Sequence, residues 1–292
     1  MRWVARVLGV IAVLLFVGWA TDDAWAVPMI VAAPNAGGPR PTDAPDDAKP
    51  IRVLSEGEEI EAWVLPADEP RATVVVLHGI HDRKDSMVPL GRALNGQGFQ
   101  AILVDLRGHG ASTGTHLSYG VHDRVDLRAI LDVADSEGLL VEPVGVHGVS
   151  YGASTAILFA AHDPRVQSVV AIAPFASLRE VVPAYGELIF GPVGRVLPSV
   201  WINDVVDRAG VAAAFNPDEA CPRCAAEQIR APLFLAHGDA DVRIPPWHGE
   251  LIARAHAGPT EVMVVPGANH GTIGGEASAR AHEFLRRTLL RE

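Results

Sequence analysis

Apolar positions in this chain fall into short continuous runs, separated by longer stretches with helical spacing. Ala72–Leu77 (ATVVVL) is apolar but for one threonine, and Val144-Gly145-Val146, Ala101-Ile102-Leu103-Val104, Val166–Ile172, Leu233-Phe234-Leu235 and Glu261-Val262-Met263-Val264-Val265 follow the same habit. Runs without alternation belong to strands covered on both faces of a parallel sheet. Ahead of them, 51–54 and 60–65 flank a turn at Glu56-Gly57 and predict a hairpin. Residues 86–97, stopped at Gly98, predict a helix. So do 121–136, with Val125, Ala129, Leu131 and Val133 in periodic positions, and 277–290. This alternation predicts an α/β fold with a mostly parallel central sheet covered by helices on both faces. Between the 166–172 run and Leu233 the alternation fails. That stretch, with Leu188-Ile189-Phe190, Val196-Leu197 and Val200-Trp201, reads as a helical cap of about residues 175–230 inserted over the C-terminal strand ends.

The N-terminus has a different pattern. Arg2 and Arg6 precede the apolar run from Val7 to Ala20, and Thr21-Asp22-Asp23 and Ala24-Trp25-Ala26 follow. A basic start, a short apolar stretch and a small-x-small site describe a signal peptide, residues 1–26, cleaved after Ala26. The run falls short of the roughly 20 residues of a membrane span. The alternative is an uncleaved anchor that tethers the domain to the membrane. Either way the domain is expected outside the cytoplasm, secreted or periplasmic if the leader is removed. Residues 27–50 carry six prolines among Ala, Gly and Asp, and are expected to form a flexible linker. Residues 51–292 are then the folded domain. The net charge of −11 and the lack of a basic cluster argue against nucleic-acid binding.

The chemistry centres on Gly148-Val149-Ser150-Tyr151-Gly152, between the 144–146 strand and a helix-like run from Ala153. A serine between glycines at a strand-to-helix turn is a nucleophile elbow. The turn is tight, and the hydroxyl stands at a helix N-terminus that favours negative charge. Three fixed positions recur by chance in about one chain in ten of this length, so the motif needs partners. Serine needs a base, and the base needs a carboxylate to orient it. Two polar, glycine-flanked loops after late strands offer them in the order serine, acid, histidine. Gly267-Ala268-Asn269-His270-Gly271 supplies His270, the best placed of twelve histidines. His237-Gly238-Asp239-Ala240-Asp241 supplies two candidate acids. Spacing from Gly238 favours Asp241, which leaves Asp239 to shape the loop through an Asx-type hydrogen bond. Backbone N–H groups of Tyr151 and Ile80 are the expected oxyanion donors. His81 is near enough in sequence to line the substrate pocket, or it is a solvated loop histidine.

With His78-Gly79, the Asp105-Leu106-Arg107-Gly108-His109-Gly110-Ala111-Ser112 run, Ala173-Pro174-Phe175 and Ile244-Pro245, these motifs occur in an order that resembles the α/β-hydrolase superfamily. The likeness is greatest to its esterase/lipase-like group, which shades into serine aminopeptidase-like and prolyl-oligopeptidase-like hydrolases. It covers residues 51–292. It implies that Asp105 and the Arg107–Gly110 segment are structural supports rather than catalytic groups. A Gly-Gly-Gly oxyanion loop, present in some lipases, is missing here.

The expected activity is hydrolysis of an ester-type bond, a carboxylic ester or thioester, through an acyl-enzyme, with no metal or cofactor and a small-molecule acyl substrate. A peptidase that holds a substrate amine, with Glu180 or Glu187 as the acidic group, is the alternative. A non-catalytic binding protein on the same fold is the third reading. Cys221-Pro222-Arg223-Cys224 lacks the further ligands of a zinc site. It reads as a local disulfide bracing the cap or as free thiols.

Overall fold

The computed structural model describes residues 21–291, apart from the side chains of Asp22 and Arg195. The apolar run from Val7 to Ala20 lies outside the described residues. One eight-stranded sheet has the order β1-β2-β4-β3-β5-β6-β7-β8. Its strands are β1 (Lys49–Ser55), β2 (Glu58–Leu65), β3 (Ala72–Leu77), β4 (Phe99–Val104), β5 (Val144–Val149), β6 (Val166–Ile172), β7 (Leu233–Gly238) and β8 (Thr260–Val265). β1 and β2 form the expected hairpin, and β2 runs antiparallel to β4. Every later pairing is parallel.

All six residues of β3 and all six of β4 are buried, which is why their sequence shows no alternation. The two faces nonetheless sort their side chains. Val75, Leu77, Ile102 and Val146 pack towards α3 (Asp123–Ser136) and α4 (Tyr151–His162). Val74, Val76, Leu103 and Phe234 pack on the opposite face with Leu94 of α2 (Val88–Asn95) and Phe284 of α9 (Gly274–Leu285). A period of two within fully buried strands thus builds two cores.

Between β6 and β7 the chain forms the cap from α5 (Leu178–Phe190) and α6 (Ser199–Ala212). It is shorter than the sequence pattern suggested. Leu178 N–H donates to Ala220 O (2.9 Å) and Arg223 N–H to Ala176 O (2.9 Å), so both cap ends are stitched together near residues 176 and 220. α7 (Pro222–Ala226) already belongs to the main core, where Ala225, Ala226 and Ile229 are buried. The Cys221–Cys224 disulfide sits at this junction, where the Cys221 sulfur also accepts from Cys224 N–H. α8 (Trp247–Ala255) follows β7.

The stretch 27–50 is not a free tether over its first part. Asp22–Val31 forms a helix, α1, with Pro28 inside it. Ala26, Val27 and Val31 are buried with the cap residues Val205, Val206 and Ala209. Trp25 stacks on Trp201 at 5.9 Å, and Asp23 pairs with Arg208 at 2.7 Å. Further on, the buried Asn35 amide donates to the carbonyls of Gly110 (2.7 Å) and Ser112 (3.1 Å). Proline content obscured an apolar face: Val27 and Val31 are four apart, as are Ala26 and Ile30. The Ala26–Val27 bond, the predicted cleavage point, lies in the middle of this helix.

Candidate active site

Ser150 lies between β5 and α4 with φ 55° and ψ −117°, a region that non-glycine residues adopt only under constraint. The constraint comes from both glycines. A Cβ on Gly148 would run into the Gly152 carbonyl, and one on Gly152 would meet the carbonyls of His78 and Leu77. Ser150 N–H donates to Ile172 O at 2.7 Å, which fixes the turn to β6. Tyr151 is buried, and its hydroxyl donates to Asp123 Oδ2 at 3.1 Å. Burial pushes its phenol well above the usual value, so it stays a donor. That bond ties the first residue of α4 to the start of α3.

The three sequence candidates meet at one point. His270 Nε2 lies 2.8 Å from Ser150 Oγ, and His270 Nδ1 lies 2.6 Å from Asp241 Oδ2. The other Asp241 oxygen accepts from the N–H groups of Arg243 (2.9 Å) and Ile244 (3.0 Å). Burial alone would raise the Asp241 carboxyl. The bond from His270 and these backbone donors outweigh it and hold the group below its ordinary value. An ionised Asp241 accepts from Nδ1–H, which leaves Nε2 free to accept from the serine hydroxyl. Asp239 takes no part in this chain. Its Oδ1 accepts from Gly267 N–H at 2.6 Å, latching the acid loop to the loop that carries His270. The expected Asx role is thus a bond across two loops.

The loop after β3 borders the serine: a Cβ on Gly79 would lie 3.7 Å from Ser150 Cβ. This loop is held from below. The buried His78 donates from Nδ1 to Gly79 O (2.8 Å) and accepts at Nε2 from Leu106 N–H (3.1 Å). Accepting at Nε2 requires a neutral ring, and burial pushes His78 down to suit. Ile80, Tyr151 and the exposed His81 all line the cavity over Ser150. His81 has φ 65°, a second strained position beside the serine.

That cavity has a volume of about 440 Å³ and is mainly apolar, with Phe175, Val181, Tyr185 and Ile202 among its walls. Arg243 contributes to it; among the described residues no carboxylate does. Glu180 accepts from Ser177 and lies 3.6 Å from Arg223, and neither it nor Glu187 lines the cavity. Three features had no sequence reading. Arg243 had only its place after the acid as a signal. α1 supplies part of the wall. Lys84, fully buried, bonds Asp105 Oδ2 at 2.5 Å and Glu61 Oε1 at 2.9 Å under the β3 loop. The structural role expected of Asp105 follows from that bond and from the Lys84 and Ala111 N–H groups it also accepts. Arg107 likewise pairs with the buried Asp126 at 2.6 Å.

The sheet order, the strained serine after β5 and the late acid and histidine loops define an α/β-hydrolase. Within that class the family described as serine aminopeptidase, S33, matches residues 68–225, and the chain belongs to it. The chain is 25% identical over 218 residues to the uncharacterized protein YqkD of Bacillus subtilis (strain 168), across 73% of this chain and 70% of that protein. It is 24% identical over 239 residues to a monoacylglycerol lipase of Mycolicibacterium smegmatis, across 72% and 84%. Among solved structures, an esterase of Pyrococcus furiosus is similar with a TM-score of 0.66 at 24% identity, covering 86% of this chain and 98% of that one. An acylaminoacyl peptidase of Pyrococcus horikoshii is similar at 0.63 and 16%, covering 84% and 42%. Both structural likenesses speak for the fold.

Proposed function

We propose that this hydrolase cleaves an ester-type bond, a carboxylic ester or thioester, through an acyl-enzyme on Ser150. The observation that carries the reading is the His270 ring, bonded at once to Ser150 Oγ (2.8 Å) and Asp241 (2.6 Å), with Ser150 itself lining an apolar cavity. Ser150 Oγ attacks the acyl carbon while His270 Nε2 takes its proton. Asp241 holds the imidazole in the required tautomer and stabilises its cation. The carbonyl oxygen becomes an oxyanion, which the N–H groups of Tyr151 and Ile80 are suited to receive. Collapse breaks the bond to the leaving oxygen or sulfur, which takes the proton from His270. Water, activated by His270, then attacks the acyl-serine, and the acid leaves with Ser150 reprotonated.

The cavity favours an ester over a peptide amine. An aminopeptidase needs a carboxylate to hold the substrate ammonium, and Glu180 and Glu187 lie outside the described lining. The apolar walls suit an acyl or alkyl group, and His81 at the rim suits a contact to the substrate's polar end. The reading includes export of the domain across the membrane, as the basic start and acidic follow-on of the N-terminus suggest.

A fluorophosphonate probe tests the nucleophile: it should label the protein and fail on Ser150→Ala. A p-nitrophenyl ester series run beside an aminoacyl-amide panel tests the substrate class. Ester turnover should dominate. Strong amide turnover with weak ester turnover would replace the esterase reading with the peptidase one. A protein that is neither labelled nor active on any activated ester is not a serine hydrolase.

A further inference from the structure

We infer that α1 is a permanent wall of the acyl pocket, so that the active protein keeps residues 21–31 and their side chains set which acyl chains fit. The inference rests on the esterase reading for its substrate and on geometry for the rest. Ala26, Met29 and Ile30 of α1 line the same cavity as Ser150, facing cap residues such as Tyr185 and Trp201. The cavity is therefore closed by two segments far apart in sequence.

α1 is held there by contacts a loose leader remnant would lack. Val27 and Val31 are 6% and 1% exposed, packed among Val205, Val206 and Ala209 of α6. Trp25 stacks on Trp201 and meets Phe190 edge-on at 6.3 Å. Asp23 pairs with Arg208, and the half-buried Tyr119 donates from its hydroxyl to Ile30 O at 2.6 Å. Ala32 pairs with His116 in a short bridge. Cleavage after Ala26 would remove Asp23 and Trp25, cut the helix in its middle and open one side of the pocket. It would also strip Trp25 from Trp201 and Phe190 and take Ala26 out of the cluster with α6, with a loss of apolar burial. The favourable state keeps the helix whole. The apolar run from Val7 to Ala20 then either stays attached as an anchor or is removed no later than Thr21.

Two measurements on the full chain test this. In the first, the protein is produced from its complete reading frame in an exporting bacterial host, and its intact mass is read by mass spectrometry. The expected N-terminus is at or before Thr21; a mature protein that begins at Val27 overturns the inference. In the second, Ile30→Trp and Met29→Trp are compared with the unaltered chain on p-nitrophenyl acetate and p-nitrophenyl octanoate. Filling the α1 side of the pocket should lower the octanoate-to-acetate ratio of kcat/KM about tenfold or more. A ratio unchanged by both substitutions, in proteins still labelled at Ser150, overturns it. The mass measurement does not depend on turnover. An unaltered chain that hydrolyses no ester refutes the esterase reading, while a retained α1 still upholds the structural wall.

Discussion

Lys84 offers a test of what holds the loop beside the serine. Its side chain is fully buried, with Nζ between Asp105 Oδ2 at 2.5 Å and Glu61 Oε1 at 2.9 Å and 4.5 Å above the Trp63 ring. Burial pushes the Glu61 carboxyl up, and Lys84 with Arg52 behind it more than compensates, holding it below its ordinary value. Lys84→Met keeps most of the apolar stem and removes only the charge. Two buried carboxylates then lose their cation, a change that typically costs about 3–5 kcal/mol. Asp105 keeps its bonds from the Lys84 and Ala111 N–H groups, and Glu61 keeps Arg52 at 2.8 Å. The lower end, about 3 kcal/mol, is therefore expected. At about 2–4 °C per kcal/mol for a domain of this size, the melting temperature should fall by about 6–12 °C. Arg52→Met is the matched control, because Arg52 bonds the same Glu61 from the surface with 65% of its side chain exposed. It should cost less than about 1 kcal/mol. Urea unfolding of both variants, followed by tryptophan fluorescence, decides the matter. If Lys84→Met costs no more than Arg52→Met, burial is not what makes this pair matter and the argument fails.

Other outcomes follow from the site and its surroundings. Asp241→Asn should lower kcat about 10⁴-fold by favouring the wrong histidine tautomer. Asp239→Asn should leave kcat nearly unchanged, because the amide oxygen still accepts from Gly267 N–H; equal losses in the two variants would show that the acid is misassigned. Tyr151→Phe removes a buried hydroxyl bonded to Asp123 and should cost about 1–3 kcal/mol in urea unfolding; a cost near zero would show that this bond does not anchor the elbow. Burial pushes His109, His147 and His248 down to about 3 from 6.5. Between those values the unfolded chain binds more protons, so stability should fall as pH drops from 6.5, by at most about 1.4 kcal/mol per pH unit for each group. His147→Leu should make that decline shallower in unfolding curves at pH 7.5, 6 and 5, and an unchanged slope would count against the assignment.

The sheet was readable because β3 and β4 are buried along their whole length and β6 at all but Gln167, and apolar stretches without alternation have few other uses. The triad candidates were readable because their loops follow late strands in a fixed order and carry glycines. Asp239 and Asp241 could be ranked by spacing, but the latch from Asp239 to Gly267 joins two loops and has no local signature. Lys84 was unreadable for the same reason. Its partners lie 21 and 23 residues away, and a lone lysine before a helix has the pattern of an exposed one. α1 was misread for a different reason. Six prolines in 27–50 signal an unfolded tether by composition, yet the prolines after Pro28 all follow the helix. The stretch read as cap runs on past Ala220 because α7 is apolar for the sake of the main core.

The stitched base of the cap has an evolutionary consequence. With Leu178 N–H bonded to Ala220 O and Arg223 N–H to Ala176 O, everything between them leaves and rejoins the sheet at one place. Insertions or exchanges inside that cassette can reshape the pocket without moving the strands that carry Ser150, Asp241 and His270. This chain adds a condition, because the cassette's inner face is completed by α1. A cap acquired without its matching helix would expose the α6 face, and a helix that drifts would spoil the cap. The heritable unit of specificity is therefore split between α1 and the cap, and substitutions at Trp25 and Trp201 should be inherited as a pair.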